Sequence, residues 1–439
     1  MPYTKRRRLV TSAVAVALGA TALAACGSSD DDSDARSGPV SLTYWTWTPG
    51  MDKVVDLWNK GPGKKEQITV TVKKQASGDT LVTKILTAHK AGKAPDLVQA
   101  EYQALPTLVS NDALADISGE VGDEKGRFAE GVWQQTTLGT DAVYAVPQDI
   151  GPMMFYYRED LFKKYELKVP ATWEEFAETA RKLKKAAPDK DLTTFSANDS
   201  GLFAGLAQQA GARWWTTEGQ KWKVGIDDAA TKKVAEFWGG LVKEGAVDNQ
   251  PMYTPAWNKA LNTGKQIAWV SAVWAPGTLT TAAPDTKGKW AMAPLPQWSD
   301  SENRTGSWGG SSTGVTTDSK HKDAAAKFAA WLNTDRDALN ALAKEGGIYP
   351  ASTSAQLSGA FTNPPAYFSN QPDFYTKAAE IAKTTAPSAW GPNVNAAYTT
   401  FKDAFAAAAK NKSDFTDALA TMQEETVADL KKQGFEVAQ

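Results

Sequence analysis

Cysteine and tryptophan are the residue types whose chemistry is most informative in this sequence. Cys26 is the only cysteine among 439 residues, and the segment GSSDDDSD follows it directly. A catalytic or redox thiol needs a folded environment that favours the thiolate, whereas a run of small and acidic residues cannot bury enough apolar surface to fold. We therefore expect Cys26 to have a role outside catalysis.

The residues before Cys26 are typical of a secretory signal peptide. Residues 5–8 are basic, and residues 9–25 form an apolar, alanine-rich run that is too short and too interrupted by polar residues to span a membrane. The segment Leu23-Ala24-Ala25-Cys26 resembles the bacterial lipobox, which implies that the chain is cut before Cys26 and that this thiol is diacylated, a palmitate-type lipid anchor. The alternative is an ordinary signal peptide with an incidental cysteine. The export route, general or twin-arginine, stays open.

This pattern predicts where the chain is placed in the cell. We expect a signal peptide over residues 1–25 and a lipidated Cys26 with a flexible, acidic tether over residues 26–39. Two acyl chains give stable membrane anchoring, whereas one chain does not. The folded body would therefore be held at the outer face of the bacterial cell membrane.

Charge and length limit the class of function. The full chain has a formal charge of −2, and removing residues 1–25 takes away four basic residues, so that the charge becomes −6. A mildly acidic chain lacks the basic surface that nucleic acid requires, so no nucleic acid is expected as a partner. About 414 residues exceed what one hydrophobic core usually serves, which predicts two domains.

Few side chains could perform metal or acid–base chemistry. The only histidines are His89 and His321, which are too few for a His-rich metal site and lie near lysines in expected helix ends. The chain lacks the glycine-rich phosphate-binding motifs, HExxH and GxSxG. We expect no catalytic residue, no metal and no cofactor.

The 17 tryptophans indicate a different chemistry. A large flat ring with an N–H at its edge suits the apolar face of a sugar, while polar side chains bind the hydroxyl groups. Four tryptophans fall in helical patterns and are expected to pack in the core: Trp58, Trp173, Trp238 and Trp331. Four others stand at a strand end or close to Gly or Pro, where we expect loops and ligand contacts: Trp47, Trp274, Trp308 and Trp390.

The elements that must position these rings alternate between strand and helix. Periodicity predicts strands over residues 40–47 and 67–73, and helices over residues 51–60 and 80–90, which indicates an α/β sheet. Thr172, followed by Glu175, predicts the start of another helix through a capping box. The segments DDAATKKVAEFWGGLVKEG and DAAAKFAAWLN are predicted as helices that open on Asp.

The order of motifs resembles the extracellular solute-binding proteins of carbohydrate ABC importers, the group that includes maltose-binding protein. The resemblance covers nearly the whole mature chain, in six segments: APDLVQAEYQALPTLVSNDALADIS, YAVPQDIGPMMFYYREDLFKKY, VPATWEEFAETARKLKK, GKQIAWVSAVWAPG, GGSSTGVTTDSKHKDAAAKFAAWLN and GGIYPAST. It implies a two-lobed α/β fold of the periplasmic-binding-protein type (type II), with sugar held between lobes that a multi-crossing hinge joins. The implied partners are a sugar and ABC permease subunits. Several tryptophans outside the helical patterns favour an oligosaccharide over a monosaccharide, since each ring needs its own sugar face, and we expect a monomer.

The resemblance also implies boundaries and site residues. The first lobe would comprise residues 40–148 and 310–347, the second lobe residues 152–306 and 351–439, and the hinge crossings would lie near residues 148–152, 306–309 and 347–351. The residues that it places in the cleft are Gln99, Glu101, Tyr102, Gln148, Asp149, Asn198, Asp199, Trp274 and Trp390. Two alternatives from other classes stay open: a secreted, lipid-anchored glycoside hydrolase with a carboxylate pair, and a binding protein that serves a membrane sensor.

Overall fold

A computed structural model describes residues 38–438 and shows a mixed α/β protein with two lobes, which confirms the expected fold class. The predictions for the signal peptide and Cys26 therefore lie outside the described residues. Within the described range the strands are β1 (Val40–Thr46), β2 (Ile68–Lys74), β3 (Leu97–Glu101), β4 (Ala145–Arg158), β5 (Trp215–Glu218), β6 (Lys221–Val224), β7 (Ala268–Ala272), β8 (Trp290–Pro294) and β9 (Ser307–Val315).

The helices pack on the faces of these strands. The α-helices in the described part of the chain are α1 (Met51–Lys60), α2 (Pro62–Glu66), α3 (Asp79–Lys90), α4 (Leu105–Ser110), α5 (Ser118–Val121), α6 (Glu130–Thr137), α7 (Glu159–Lys164), α8 (Trp173–Ala186), α9 (Ser200–Gln209), α10 (Ala229–Lys243), α11 (Pro255–Thr263), α12 (Ala275–Ala282), α13 (Lys322–Thr334), α14 (Arg336–Ala341), α15 (Phe374–Ala382), α16 (Val394–Asn411) and α17 (Phe415–Lys432). Short 3₁₀ turns cover Tyr102–Ala104, Gly122–Arg127, Pro284–Thr286, Gly359–Thr362 and Ala366–Phe368, and a π-helical turn covers Leu342–Gly346.

Local sequence signals account for most of these boundaries. The Thr172 hydroxyl accepts a hydrogen bond from the Glu175 amide at 3.2 Å and the Glu175 carboxylate accepts one from the Ala171 amide at 2.7 Å, so the predicted helix start is confirmed. Asp228 caps α10 in the same way through the Thr231 amide. The prediction that α13 opens on Asp323 is wrong by one residue, because the helix already begins at Lys322 and Asp323 lies in its first turn.

One sheet system runs through both lobes. In the first lobe the strand order is β2-β1-β3-β9-β4, in which β1 is parallel to β2 and β3, and β9 is antiparallel to β3 and β4. The second half of β4, from Met153 onward, leaves β9 and pairs with β7 and β8 instead. Since β4 pairs with β9 in its first half and with β7 and β8 in its second half, it is one of the strands that connect the lobes.

Three chain segments meet where the lobes join. The pairing of β4 with β9 shifts register at Pro147/Asp149 and again at Ile150/Pro152. A third segment lies on the other edge of β4: Ala351 donates its amide hydrogen to the Gln148 carbonyl at 3.0 Å, and Ile150 donates to the Tyr349 carbonyl at 3.2 Å. The backbones of β4 and β9 approach so closely that a Cβ on Gly151 of β4 would lie 2.1 Å from the carbonyl oxygen of Trp308 in β9. A side chain at residue 151 would force these strands apart.

The buried apolar residues form separate clusters on the two sides of this junction. One cluster draws on residues 153–308 and 349–435, whereas two others draw on residues 40–146 and 315–355 and on residues 81–145. Trp58, Trp173 and Trp238 are at most 2% exposed, which confirms that they pack in the core, and Trp331 is partly buried against the first-lobe cluster. Each lobe therefore has its own core.

Candidate functional site: a cleft between the lobes

A cleft of about 310 Å³ opens between the lobes, beside the strands that join them. Both lobes and the start of β9 contribute to its walls. The lining residues are Ser77, Gly78, Thr80, Glu101 and Gln103 from the first lobe, Asn198, Asp199, Ser200, Gly201, Trp390, Tyr398 and Lys402 from the second lobe, and Ser307, Trp308 and Gly309 from β9.

The first-lobe wall is formed where parallel strands end. Glu101 is the last residue of β3, next to the end of β1, which is the edge of an α/β sheet where ligands usually bind. Its carboxylate accepts a hydrogen bond from the Gln103 side-chain amide at 2.8 Å. Glu101 is partly exposed and faces the cleft as a hydrogen-bond acceptor.

Two buried glutamines lie beneath this wall. Gln99 is fully buried: its carbonyl oxygen accepts from the Thr46 and Thr48 hydroxyl groups, and its amide donates to the Ser311 hydroxyl at 2.9 Å. Gln148 is also fully buried, and its carbonyl oxygen accepts from Tyr44 at 3.1 Å and from Thr313 at 2.9 Å. Because their side-chain groups are committed to protein partners, these glutamines hold the strand ends in place and do not reach the cleft.

Tyr102 and Asp149 lie between the wall and the hinge strands. Tyr102 is 3% exposed, and its hydroxyl donates to the main-chain carbonyl of Asp149 at 3.0 Å. The Asp149 carboxylate accepts the amide hydrogen of Ser311 at 2.5 Å. Burial raises the pKa of Asp149 to about 6, although the hydrogen bonds from Ser311 oppose this shift. This carboxylate connects β4 to β9 where the lobes join.

The second-lobe wall begins at the N-terminus of α9. The Asp199 side chain caps this helix by accepting the Leu202 amide hydrogen at 3.0 Å, and Asn198 beside it is exposed. Burial raises the pKa of Asp199 to about 6, while the Leu202 hydrogen bond and the positive charge of Lys402 act in the opposite direction. Asp199 is thus an acceptor in the cleft whose charge changes near pH 6.

An aromatic group covers the end of the cleft nearest the hinge. Trp308 is 7% exposed, and its ring lies so close to Gly201 that a Cβ there would be 2.8 Å from the indole nitrogen. Trp274 is partly buried, and its ring meets that of Trp308 edge to face, with centroids 5.0 Å apart. Trp308 lies within β9, so the prediction that it projects from a loop is wrong: β9 continues through the glycines that follow Trp308.

Trp390 lies at the other end, in the segment between α15 and α16. It shares the cleft with Tyr398 and Lys402, which stand four residues apart on one face of α16. Trp390 also borders a larger interlobe space of about 1050 Å³, together with Trp215 and Trp222. The crevice therefore continues beyond the cleft past this ring.

The structure brings together five of the eleven residues predicted for the site: Glu101, Asn198, Asp199, Trp308 and Trp390. Gln99, Gln148 and Asp149 lie behind the wall as described above. Tyr102 instead lines a second space of about 380 Å³, together with Ile150, Pro152 and Ser307. Trp47 follows β1 and is partly exposed, and its amide hydrogen is bound by the Gln99 side chain at 3.2 Å. Trp47 and Trp274 do not line the cleft in this conformation, although Trp274 contacts Trp308, which does.

Sequence reasoning missed several cleft residues. Tyr398 and Lys402 give only a weak signal, a Tyr and a Lys four residues apart in an alanine-rich helix. Tyr253, which does not line the cleft in this structure, gives no sequence signal either: it is 48% exposed with a positive φ of 62°, a conformation that is strained for a bulky residue. The Met252 amide donates to Ser196 at 3.0 Å, which places Tyr253 near the Asn198–Asp199 segment. No local pattern predicts such a backbone conformation.

The chemistry available in the cleft is recognition of polar rings. Among residues 38–438, no group of three or more His, Cys, Asp or Glu side chains could hold a metal ion. Indole and phenol faces can cover apolar C–H surfaces, and carboxylate, amide and ammonium groups can bind hydroxyl groups. The same part of the chain has no helix long and apolar enough to cross a membrane.

Comparison with known proteins agrees with this geometry. The sequence pattern of a family described as bacterial extracellular solute-binding protein matches residues 44–339. The lactose-binding protein of Rhizobium radiobacter is 28% identical over 83% of this chain and 85% of its own length. The maltooligosaccharide ABC transporter solute-binding lipoprotein of Streptococcus pneumoniae strain R6 is 24% identical over 72% of this chain and 74% of its own length.

A solved structure gives the same result at the level of the fold. The galacto-N-biose-/lacto-N-biose I-binding protein of the ABC transporter from Bifidobacterium longum, in complex with lacto-N-biose, superimposes with a TM-score of 0.82. It is 26% identical, and the match covers 92% of this chain and all of that one. By their names, the family and these relatives are binding proteins.

Proposed function

Because this chain belongs to the bacterial extracellular solute-binding protein family, we propose that it is an exported receptor that binds an oligosaccharide between its lobes and delivers it to an ABC importer permease. The observation that carries this proposal is the cleft itself. It combines aromatic rings (Trp308, Trp390 and Tyr398) with polar groups (Glu101, Asn198 and Asp199) on opposing walls.

A sugar fits this combination better than a purely apolar or purely charged solute. Each sugar face presents C–H groups that an indole can cover, and each hydroxyl requires a hydrogen-bond partner. Acceptors such as Glu101 and Asp199 supply those partners, and a site built around hydroxyl groups discriminates strongly because its buried polar groups would otherwise stay unpaired.

The continuation of the crevice past Trp390 supports an oligosaccharide over a monosaccharide. Trp390 lines both the 310 Å³ cleft and the adjoining 1050 Å³ space, so a chain of sugar rings can extend from one to the other along its indole. By their names, two relatives and a structural neighbour also bind disaccharides or longer sugars.

Binding would close the two lobes about the three segments that meet at β4. We place the hinge near residues 148–152, 306–309 and 347–351, with the first lobe at 40–148 and 310–347 and the second lobe at 152–306 and 351–439. The separate apolar clusters on the two sides of β4 support this division. Ala351 and Ala355 still pack with the first-lobe cluster, so the third segment leaves that lobe gradually.

The predicted site residues then have two roles. The ligand would be contacted by Glu101, Asn198, Asp199, Trp308 and Trp390. When the lobes close, Trp47 and Trp274 would contact it as well. Gln99, Tyr102, Gln148 and Asp149 position the strand ends and the hinge through the hydrogen bonds described above. Further ligand contacts would come from Tyr398 and Lys402, which line the cleft with Trp390. Tyr253, near the Asn198–Asp199 segment, would be another.

The mature protein would be a monomer at the outer face of the cell membrane, anchored through acylated Cys26. The lipobox-like segment and the lipoprotein named among the relatives support the anchor. Glycoside hydrolysis and service to a membrane sensor are less well supported, because the three relatives named above are binding proteins and two of them are named as parts of ABC transporters.

Calorimetry against a panel of oligosaccharides tests the proposal. Lactose, maltooligosaccharides and lacto-N-biose form the panel, with free monosaccharides beside them. A ligand at a hundred times its Kd adds about 2.7 kcal/mol to the free energy of unfolding, so a bound sugar also raises the melting temperature. Chromatography of the sugar afterwards should show it unchanged.

A pair of variants shows that binding occurs in the cleft. Trp390→Ala should weaken binding at least tenfold, whereas Leu57→Ala, which removes a 44% exposed side chain from α1, should leave it unchanged. Cleaved products would favour the hydrolase instead. Binding that both variants retain would place the sugar site elsewhere.

A further inference from the structure

A second interlobe space, of about 380 Å³, lies apart from the cleft. Glu101 and Gln103 line the cleft, whereas Tyr102 between them lines this space. On α9, Gly201 lines the cleft and Gln208, about 10 Å further along the helix, lines this space. The two spaces therefore lie on opposite sides of the end of β3, and we call the second one the rear cavity.

Both lobes and a strand that joins them form the walls of the rear cavity. Val132 of α6 stands on the first-lobe side, and Ala379 and Ala382 of α15 stand on the second-lobe side. Ile150 of β4 borders the cavity and packs against the apolar clusters of both lobes. A molecule in this cavity would therefore touch both lobes and the strand between them.

Polar groups in the wall already have partners. The Gln208 side-chain amide donates to the Ala386 carbonyl, and its carbonyl oxygen accepts the Ser307 amide hydrogen at 2.9 Å. Lys383 is the only charged residue among those of the described chain that line the cavity, and it pairs with Glu380 at 2.7 Å. The wall thus offers apolar surface, and its one charge is matched within the protein.

An exposed leucine extends this apolar wall. Within residues 38–438, only four large apolar side chains are exposed, and Leu357, at 53%, is the most exposed of them. It is also one of the residues that line the rear cavity, so it stands where the cavity meets solvent. A single exposed leucine is common on protein surfaces, but one that continues the wall of a mostly apolar cavity suits an apolar ligand.

One segment connects the rear cavity to the cleft. Ala386 lines the rear cavity, and Trp390, four residues later, lines the cleft. The Ala386 amide donates to the Thr305 carbonyl at 2.8 Å, which ties the segment to the chain just before β9. Between them, the Ser388 hydroxyl lies 3.4 Å from the Gln135 side chain of the first lobe. This segment therefore contacts both spaces and both lobes.

We propose that the rear cavity is a second ligand site, which takes a small uncharged molecule with an aromatic or branched alkyl body and strengthens sugar binding when it is filled. The ligand class follows from the wall, because a charged molecule would lose its hydration there without gaining a free partner. The effect on sugar rests on the proposed receptor function, since it requires the sugar to bind between the same two lobes.

The direction of the effect follows from the contacts between the lobes. In this structure the lobes meet at Ser388 and Gln135 and again at Thr107 and Pro392. A molecule that touches both α6 and α15 adds contacts to this same arrangement of the lobes and raises its population. Because this arrangement brings the two walls of the cleft together, a sugar then binds at a smaller cost for closing the lobes.

Fluorine NMR of 4-fluorobenzyl alcohol tests the site on the full chain without added sugar. We expect saturable broadening of its fluorine signal, and at least tenfold weaker binding of 4-fluorobenzoate, which has the same ring and a negative charge. Leu357→Ser should weaken the binding of the alcohol at least threefold, whereas Leu57→Ser, at a 44% exposed leucine of α1, should not change it. Ala382→Phe fills the cavity from α15 and should abolish binding, and Ala406→Phe, on the exposed side of α16, should not.

Three results would overturn the site: no saturable binding of the alcohol, equal binding by the two leucine variants, or tighter binding of 4-fluorobenzoate. The leucine pair decides the question even if Ala382→Phe does not fold, because Leu357 and Leu57 are both exposed.

Calorimetry then measures the effect on sugar. A sugar of the panel that binds should do so at least threefold more tightly at saturating 4-fluorobenzyl alcohol, and linkage requires the sugar to tighten binding of the alcohol by the same factor. This gain should persist in Leu57→Ser and fall in Leu357→Ser. Unchanged or weaker sugar binding with the cavity filled would contradict the proposed coupling. If no sugar binds, the receptor function fails, whereas the titrations of the alcohol alone still decide whether the rear cavity is a ligand site.

Discussion

The indole N–H of Trp274 donates a 2.9 Å hydrogen bond to the main-chain carbonyl of Trp308. Trp274 stands between β7 and α12 in the second lobe, whereas Trp308 lies in β9, one of the strands that join the lobes. Trp274, which contacts Trp308 but does not line the cleft in this structure, is therefore bound directly to a strand that joins the lobes. If the lobes move at this strand as proposed, Trp274 should move with it, and we expect closure to bring its ring to the ligand.

Trp274→Ala should weaken sugar binding more than tenfold. An indole that covers one sugar face buries on the order of 80 Å² of apolar surface, which contributes roughly 2 kcal/mol at about 25 cal/mol per Å². The ligand-free protein should lose about 2 kcal/mol of stability, for the hydrogen bond to Trp308 and the edge-to-face contacts with the Trp269 and Trp308 rings. Titration calorimetry and a thermal melt measure the two effects.

Trp269→Ala is the matched core control for this prediction. Trp269 is fully buried, and its ring meets the Trp274 ring edge to face with centroids 5.7 Å apart. Its truncation should therefore cost about 3 to 5 kcal/mol of stability. If Trp274→Ala behaves like Trp269→Ala and leaves the sugar affinity intact, Trp274 is a core residue and not a ligand contact.

Gln99 and Glu101, two residues apart on β3, should respond in opposite ways to substitution. Gln99→Leu leaves the buried hydroxyl groups of Thr46, Thr48 and Ser311 without their partner and should cost about 2 to 4 kcal/mol of stability. Glu101→Gln should lower sugar affinity several-fold with little change in melting temperature, because the side chain is partly exposed. A Glu101→Gln protein with unchanged affinity for every sugar that binds would remove Glu101 from the site.

Stability and binding should both depend on pH near 6. Burial raises the pKa of Asp149 and of Asp199 from 3.8 to about 6, so the folded protein holds these protons more tightly than the unfolded chain. Their contribution to stability is therefore present below about pH 4 and is lost as the pH rises through about 6. Sugar affinity should change in the opposite direction, because ionised carboxylates accept hydrogen bonds from hydroxyl groups more strongly.

Melts and titrations between pH 4 and pH 7 check this pH dependence. Asp199→Asn should flatten the affinity profile and remove only part of the pH dependence of stability, because Asp149 still titrates. Asp189→Asn, whose side chain is 78% exposed, should leave both profiles unchanged. A pH dependence of sugar affinity that survives in Asp199→Asn would assign the titration to another group.

The lobes should close on the sugar. In this structure the Thr107 hydroxyl donates to the Pro392 carbonyl at 3.0 Å, a contact between α4 of the first lobe and the segment before α16 of the second. Small-angle scattering should show a smaller radius of gyration at saturating sugar and a mass of one chain. Thr107→Val should weaken binding by up to tenfold, and Thr399→Val, on the exposed side of α16, should not. Absence of compaction with tight sugar binding would exclude hinge closure.

Cys26→Ser should release the protein from the membrane fraction or leave the signal peptide uncleaved. The thiol is the only acylation site that the lipobox-like segment offers, and no described helix provides a membrane span. Cell fractionation and the mass of the processed chain measure the outcome. Normal processing with full membrane retention would contradict the lipid anchor.

The class of this protein and many of its local elements follow from its amino-acid order alone. The helix Met51–Lys60 follows from its apolar spacing, and the helix that Thr172 caps follows from a capping box; both depend on neighbours along the chain. Family resemblance supplied the two-lobed fold, since the order of its motifs covers nearly the whole mature chain.

Which residues reach the cleft depends on long-range packing, which the amino-acid order does not show. Gln99 and Glu101 both stand near the end of β3. Gln99 is buried by hydrogen bonds with hydroxyl groups of β1 and β9, whereas Glu101 faces the cleft. The partners that bury Gln99 are distant in sequence, so the local pattern does not distinguish the two residues. The glycines after Trp308 predict a loop at this residue, but β9 continues past it because β9 pairs with β4 on both sides of Trp308. Tyr398 and Lys402 meet Asp199 only because α16 packs beside α9, a long-range contact that no local pattern encodes.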